Sequence, residues 1–157
     1  MGVHRYGRRM LSSALALGLG ATLILGTVPT ATNADERVGP RLRFVQLTNE
    51  DRREHDRPAL RFQRRISRYA KQHSLAMARR GYLFHSTDEQ LRRVLGDVRW
   101  SIGGENVGVG GSLEGLERAF MASAPHRQNI LRREFRRMAV GIVRRDDRLW
   151  VTVIFYG

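Results

Sequence analysis

The chain has 157 residues, with 28 Lys or Arg against 15 Asp or Glu, a formal net charge of +13 and no cysteine. The lack of cysteine excludes a disulfide framework, so an exported domain of this size must be held by its apolar core alone. The basic excess is compatible with nucleic acid, anionic lipid headgroups or acidic wall polymers as partners. It fits a solubilising surface equally, because pairs such as Arg52-Arg53, Arg64-Arg65, Arg92-Arg93 and Arg144-Arg145 are scattered and form no single block.

Residues 1–34 differ in character from the rest of the chain. Arg5, Arg8 and Arg9 precede an apolar run from Met10 to Val28, and Thr32 and Ala34 place small residues at −3 and −1 of a cut before Asp35. This arrangement reads as a secretory signal peptide. The run also approaches the roughly 20 apolar residues that span a bilayer, which leaves an uncleaved anchor as the alternative. The product is then secreted, or membrane-anchored through this segment alone. What remains is long enough for one domain with a real core and too short for two.

Residues 35–42 read as a linker or frayed terminus, with Pro40 closing it. Leu42, Val45, Gln46 and Asn49 then recur at helical spacing up to His55, and Pro58 bars a long continuation. A second helix is marked by Ile66, Tyr69, Ala70, His73, Ala76 and Met77, and Gly81 stops it. Thr87 and Gln90 form a capping-box pair that opens a short helix carrying Leu91, Val94 and Leu95. Over 98–111, Val98, Trp100, Ile102, Val107 and Val109 lie among glycines, as in an extended strand approached closely by other backbone. Ser112 with Glu114 starts a helix whose buried stripe is Leu113, Leu116 and Phe120. A further helical turn is expected over His126–Arg132. Met138–Val143 and Leu149–Tyr156 form a hairpin. Both alternating sets of the last strand are largely apolar, so helices must cover both faces of the sheet. The expected class is α/β, a three-layer α-β-α sandwich around a small antiparallel sheet.

Residues able to carry chemistry are scattered. His85 sits in the turn after the second helix, Glu105 lies between Gly104 and Asn106, and His126 follows Pro125. Two histidines and a carboxylate are able to hold a divalent metal with positions left open. Histidines near helix ends also serve as hydrogen-bonded caps. His73, on the apolar stripe, reads as a core histidine or a support for a ligand. Ser123, His126 and Glu105 invite a serine-hydrolase reading, but Ala122-Ser123-Ala124 lacks the turn of a nucleophile elbow. Gly103–Gly111 lacks the Gly-Lys-Ser/Thr ending of a phosphate loop.

The order of motifs is more specific than any one of them. Asn49-x-x-Arg52, Ala70-x-x-His73-x-x-x-Met77, Phe84-His85-Ser86, Gly104-Glu105-Asn106, Ser123-x-x-His126-Arg127-x-Asn129-Ile130-Leu131, Val140-Gly141-Ile142 and the terminal Trp150–Gly157 strand resemble the bacterial CAP (SCP-like extracellular) domain over residues 43–157. The resemblance implies the same α-β-α sandwich, with a cleft lined by two histidines and two acidic residues that in several members holds zinc or another divalent cation. Carried over by motif, His85 and His126 are the metal-facing pair, Glu105 is the first acidic residue, and Asn106, Asn129 and His73 support them. The second acidic position falls at Ser123, and Phe120 stands where a tryptophan is expected, which weakens acid/base catalysis by paired carboxylates. The expectation is a secreted, monomeric binding domain with a cleft for a divalent metal and a lipid or cell-wall ligand. The alternatives are an extracellular hydrolase, using His126 or a metal-bound water with Glu105, and a basic module for anionic polymers.

Overall fold

A computed structural model describes residues 39–96 and 98–157; the expected signal segment at 1–34 lies outside the described residues. In chain order the elements are α1 (Pro40–Glu54), β1 (Arg61–Phe62), α2 (Arg64–Arg80), α3 (Asp88–Leu95), β2 (Gly103–Gly110), α4 (Leu113–Ala122), α5 (Ala124–Leu131), β3 (Arg137–Arg145) and β4 (Arg148–Tyr156). The strands form one sheet in the order β1-β3-β4-β2. The three long strands are antiparallel, and β1 adds a two-residue parallel pairing to β3. Among the described residues no helix is long and apolar enough to cross a membrane.

The layering follows from β4, which is buried along its whole length after Arg148. Leu149, Val151, Val153 and Phe155 pack with Phe44 and Val45 of α1, Leu116 and Phe120 of α4 and Ile130 of α5. The opposite set faces α2 and α3: Ile154 and Tyr156 meet Ile66, Ala70 and Leu95, while Trp150 meets Met77 and Ala78. Period-two alternation in one strand thus feeds two cores, and that requires helices on both sides. α2 lies directly on the sheet because Gly141 has no side chain: a Cβ there would come within 2.0 Å of the Ala70 carbonyl carbon. Ser67 Oγ accepts from the Val140 N–H at 3.0 Å, and Ser74 Oγ donates to the Gly141 carbonyl at 3.1 Å, so polar atoms at this contact are paired.

Three boundaries differ from the sequence reading. α1 begins at Pro40, so Pro40, Arg41 and Leu42 belong to the helix and not to a connecting stretch. A proline fits the first turn, where its missing N–H would have no partner anyway. The same reason lets α5 start at Ala124, ahead of His126, with Pro125 in its first turn. β2 begins at Gly103 and not at Val98, because its partner β4 ends at Tyr156, opposite Gly103. Beyond that point Gly157 pairs once more, its N–H bonding the Ile102 carbonyl at 3.1 Å. The β3–β4 loop is the two-residue turn Asp146-Asp147, both left-handed with φ 50° and 56°, a conformation that aspartate tolerates better than most residues. The capping box at Thr87 is formed, with Gln90 N–H bonding Thr87 Oγ1 and Thr87 N–H bonding Gln90 Oε1.

Candidate functional site

β2 is an edge strand, and consecutive residues on a strand point to opposite faces. Glu105 therefore turns toward the segment that follows α2, and Asn106 turns toward α5. Glu105 accepts from His85 Nδ1 at 3.0 Å, from the Ser86 N–H at 2.8 Å and from Ser86 Oγ at 2.7 Å. Three donors on one carboxylate fix its orientation. On the other face, Asn106 Nδ2 donates to the His126 carbonyl at 3.0 Å, while Asn129 Nδ2 donates to Asn106 Oδ1 at 2.8 Å and to the Glu105 carbonyl at 3.2 Å. α5 is thereby stitched to β2 at the residue pair that carries the acid. Gly104 makes this possible, since a Cβ there would lie 2.7 Å from Asn129 Oδ1 and 3.0 Å from Phe135 Cζ. The space beside Gly104 serves the Asn129 side chain.

The two histidines reach the same open sheet edge from opposite layers. His126 Nδ1 lies 2.9 Å from Ser123 Oγ, and its ring sits 4.9 Å from that of Phe120. Burial holds the His126 imidazole below the ordinary histidine range, and proximity to the His85 imidazole acts in the same direction. A neutral ring is the form that ligates metals. The His85 side chain is 58% exposed and the Glu105 side chain only 3%, so the imidazole meets solvent while the carboxylate works behind it. When His85 donates to this carboxylate through Nδ1 as a neutral ring, the lone pair on its Nε2 is free. That is the carboxylate–histidine arrangement which orients a metal-ligating imidazole. When His126 donates through Nδ1 to Ser123, its Nε2 is free as well.

His73, buried on α2, is turned toward Phe84. Its Nε2 lies 2.8 Å from the Phe84 carbonyl and its ring 4.9 Å from the Phe84 ring, which fixes the start of the turn carrying His85. Ser123, His126 and Glu105 do not assemble as a triad. Ser123 and His126 are paired, but Glu105 spends its oxygens on His85 and Ser86. Two participants were missing from the sequence reading of the site. Ser86 makes two of the three bonds to Glu105, and the Tyr69 hydroxyl donates to Ser86 Oγ at 3.0 Å. The motif Phe84-His85-Ser86 was the available signal for Ser86. Asn49 and Arg52, also part of the motif set, act elsewhere: Asn49 brackets Leu60 with two bonds, and buried Arg52 binds the carbonyls of Pro58, Ile130 and Arg132.

The family model of the cysteine-rich secretory protein family, CAP, matches residues 45–155. The chain belongs to the CAP family. It does so without the cysteines of the family's name. Among solved structures, the CAP fold here is similar to an extracellular protein containing an SCP domain from Bacillus anthracis, at 25% identity and a TM-score of 0.64, covering 75% of this chain and 40% of that one. It is also similar to a cysteine-rich secretory protein from Staphylococcus aureus, at 24% identity and a TM-score of 0.62, covering 82% of this chain and 40% of that one. The Borrelia burgdorferi outer surface protein shares the fold at 16% identity and a TM-score of 0.63, over 73% of this chain and 89% of that one. The chain thus spans 40% of the length of each of the first two. No curated protein matches it.

Among the described residues no group of three or more His, Cys, Asp or Glu is placed to hold a metal ion. The donor set on offer is two imidazole nitrogens, with Glu105 as the orienting carboxylate. Such a set suits a borderline-soft divalent ion that keeps water or ligand in its remaining positions.

Proposed function

We propose that this CAP domain is an exported binding module whose edge cleft takes a divalent cation, zinc first, through Nε2 of His85 and His126. The observation that carries the reading is the pair of Nδ1 contacts, His85 on Glu105 at 3.0 Å and His126 on Ser123 at 2.9 Å. They leave the opposite nitrogen of each ring for a ligand. When bound, the cation would supply a Lewis-acid point for an anionic or carbonyl oxygen of the cleft's ligand. Glu105 orients His85, Ser123 orients His126, and the Asn106–Asn129 pair sets the distance between the two layers. Export is supported by the charged, apolar and small-residue pattern of residues 1–34 and by the extracellular and outer-surface descriptions of similar structures.

Hydrolysis has less support. Both Glu105 oxygens are already engaged, and a serine occupies the position of the second acid, so no free carboxylate is at hand as a general base. The experiment is a thermal melt of the domain with and without zinc. A zinc-dependent rise in Tm that disappears in His85→Ala/His126→Ala supports the reading, because a ligand at one hundred times its Kd stabilises by about 2.7 kcal/mol. No rise in the unaltered domain removes the cation from the proposal.

A further inference from the structure

The described surface exposes three large apolar side chains, Leu42, Tyr82 and Leu83, at 45%, 56% and 41%. Two of them are consecutive, in the turn that Gly81 opens in the left-handed conformation after α2. They stand on a firm base. The Tyr82 ring lies 5.6 Å from that of Phe84, and Phe84 packs on the cluster of Met77, Ala78, Val107 and Trp150. Tyr82 is therefore backed by Phe84 and the buried cluster beneath it, and Leu83 is exposed beside it.

The same end is basic. Arg79 and Arg80 close α2 and are exposed, and the Arg80 guanidinium lies 4.8 Å over the Phe84 ring. The β3–β4 hairpin reaches this end too: Arg145 Nη1 donates to the Ala78 carbonyl at 3.0 Å, and Arg148 lies 5.9 Å over Trp150. Exposed Arg144 adds a fifth cation. The opposing charges are Asp146 and Asp147 at the hairpin tip, with Asp146 Oδ2 3.4 Å from Arg145 Nε. The balance remains positive.

We infer that this end, the Tyr82-Leu83 turn ringed by the arginines of α2 and of the β3–β4 hairpin, docks onto an anionic lipid bilayer. The combination decides between surfaces. Arginines alone would suit any polyanion. An exposed leucine and tyrosine side by side gain nothing from a hydrated phosphate polymer, but they gain from the headgroup–acyl boundary, where a tyrosine sits half wet and arginine stems lie along apolar surface. Docked this way, His85, two residues beyond Leu83, comes to the membrane surface. The inference is independent of the cation in the proposed function.

The test is co-sedimentation of residues 35–157, the chain after the expected signal cut, which carries the whole described core, with vesicles. Phosphatidylglycerol-rich and pure phosphatidylcholine vesicles are compared with chelator present, so that failure of the metal reading leaves the result untouched. Preferential binding to the anionic vesicles is expected. Leu83→Ser should weaken it about tenfold through lost apolar burial, and Arg79→Gln/Arg80→Gln should weaken it about fivefold per arginine. Both sites are exposed, and a thermal melt of each variant verifies the fold. Tyr82→Ser is the second apolar probe, expected to fall in the same direction. Absence of binding to anionic vesicles at low salt overturns the inference. So does binding that falls in the arginine variant but is unchanged in Leu83→Ser and Tyr82→Ser, because that pattern describes a general polyanion site, to be seen equally with soluble polyphosphate.

Discussion

Ser86 grips Glu105 from two sides, its backbone N–H on Oε1 at 2.8 Å and its hydroxyl on Oε2 at 2.7 Å. The buried carboxylate is therefore aimed before any ligand arrives, and the aim passes to His85 through the remaining bond to Oε1 at 3.0 Å. The orientation of His85 depends on a serine in a turn as much as on the carboxylate it bonds.

Replacing Ser86 by alanine keeps the backbone bond but removes the hydroxyl between Tyr69 and Glu105. A buried carboxylate oxygen that loses its partner costs about 1–3 kcal/mol. Urea denaturation of Ser86→Ala should show a loss in that range, with a zinc response weaker than that of the unaltered domain. A loss below about 0.5 kcal/mol would show that water replaces the hydroxyl without penalty.

Arg52 is fully buried and binds three carbonyls, of Pro58 at 2.8 Å, Ile130 at 2.6 Å and Arg132 at 3.1 Å. Burial, with Arg136 and Arg57 nearby, lowers its pKa to about 10, so it stays charged at neutral pH. It joins the end of α1 to the end of α5, the helix that carries His126. Arg52→Met should lose about 3 kcal/mol or more in chemical denaturation, because charge-assisted bonds vanish and carbonyls are left buried. Arg52→Lys should recover only part of this, since one ammonium does not reproduce the planar fork.

Much of the fold was legible because its signals are periodic. The double apolar pattern of Leu149–Tyr156 implied two cores, and α2 and the capping box at Thr87 follow local rules that packing did not override. The start of β2 was not legible, because it is set by where β4 stops some 50 residues further on, and no window around Val98 contains that information. Pro40 and Pro125 read as punctuation although a first helical turn accepts either. In the site, His85, Glu105 and His126 stood out through the order of motifs. Tyr69 did not, because its place on the α2 stripe looks like any core aromatic until Ser86 is seen against it.

Glu117 offers a pH test away from the cleft. It is 3% exposed on α4, opposite Thr48 and Asp51 of α1, and burial, with Asp51 adding to it, raises its pKa from 4.5 to about 8. Neither carboxyl oxygen has a hydrogen-bond partner of good geometry, which suits a protonated acid better than a buried anion. Asp51, beside Glu50, Glu54 and His55, is raised in the same direction, chiefly by burial. Because the folded pKa exceeds the unfolded one, the folded state holds more protons between pH 4.5 and about 8. Stability is thus greatest below that window, declines through it and levels above it, by on the order of a few kcal/mol. Denaturation midpoints at about pH 5 and about pH 8.5 should show this decline in the unaltered domain and a flatter profile in Glu117→Gln. Parallel profiles would place the ionisation elsewhere.

The convergence of His85 and His126 is tested most directly by following the imidazole nitrogens of the ¹⁵N-labelled domain by NMR during a zinc titration. Nε2 of both rings should shift together and saturate at one equivalent of metal, while each Nδ1 keeps its proton toward Glu105 or Ser123. Zinc that moves only one of the two rings, or that binds through Nδ1, would contradict a shared cation held across the edge of β2.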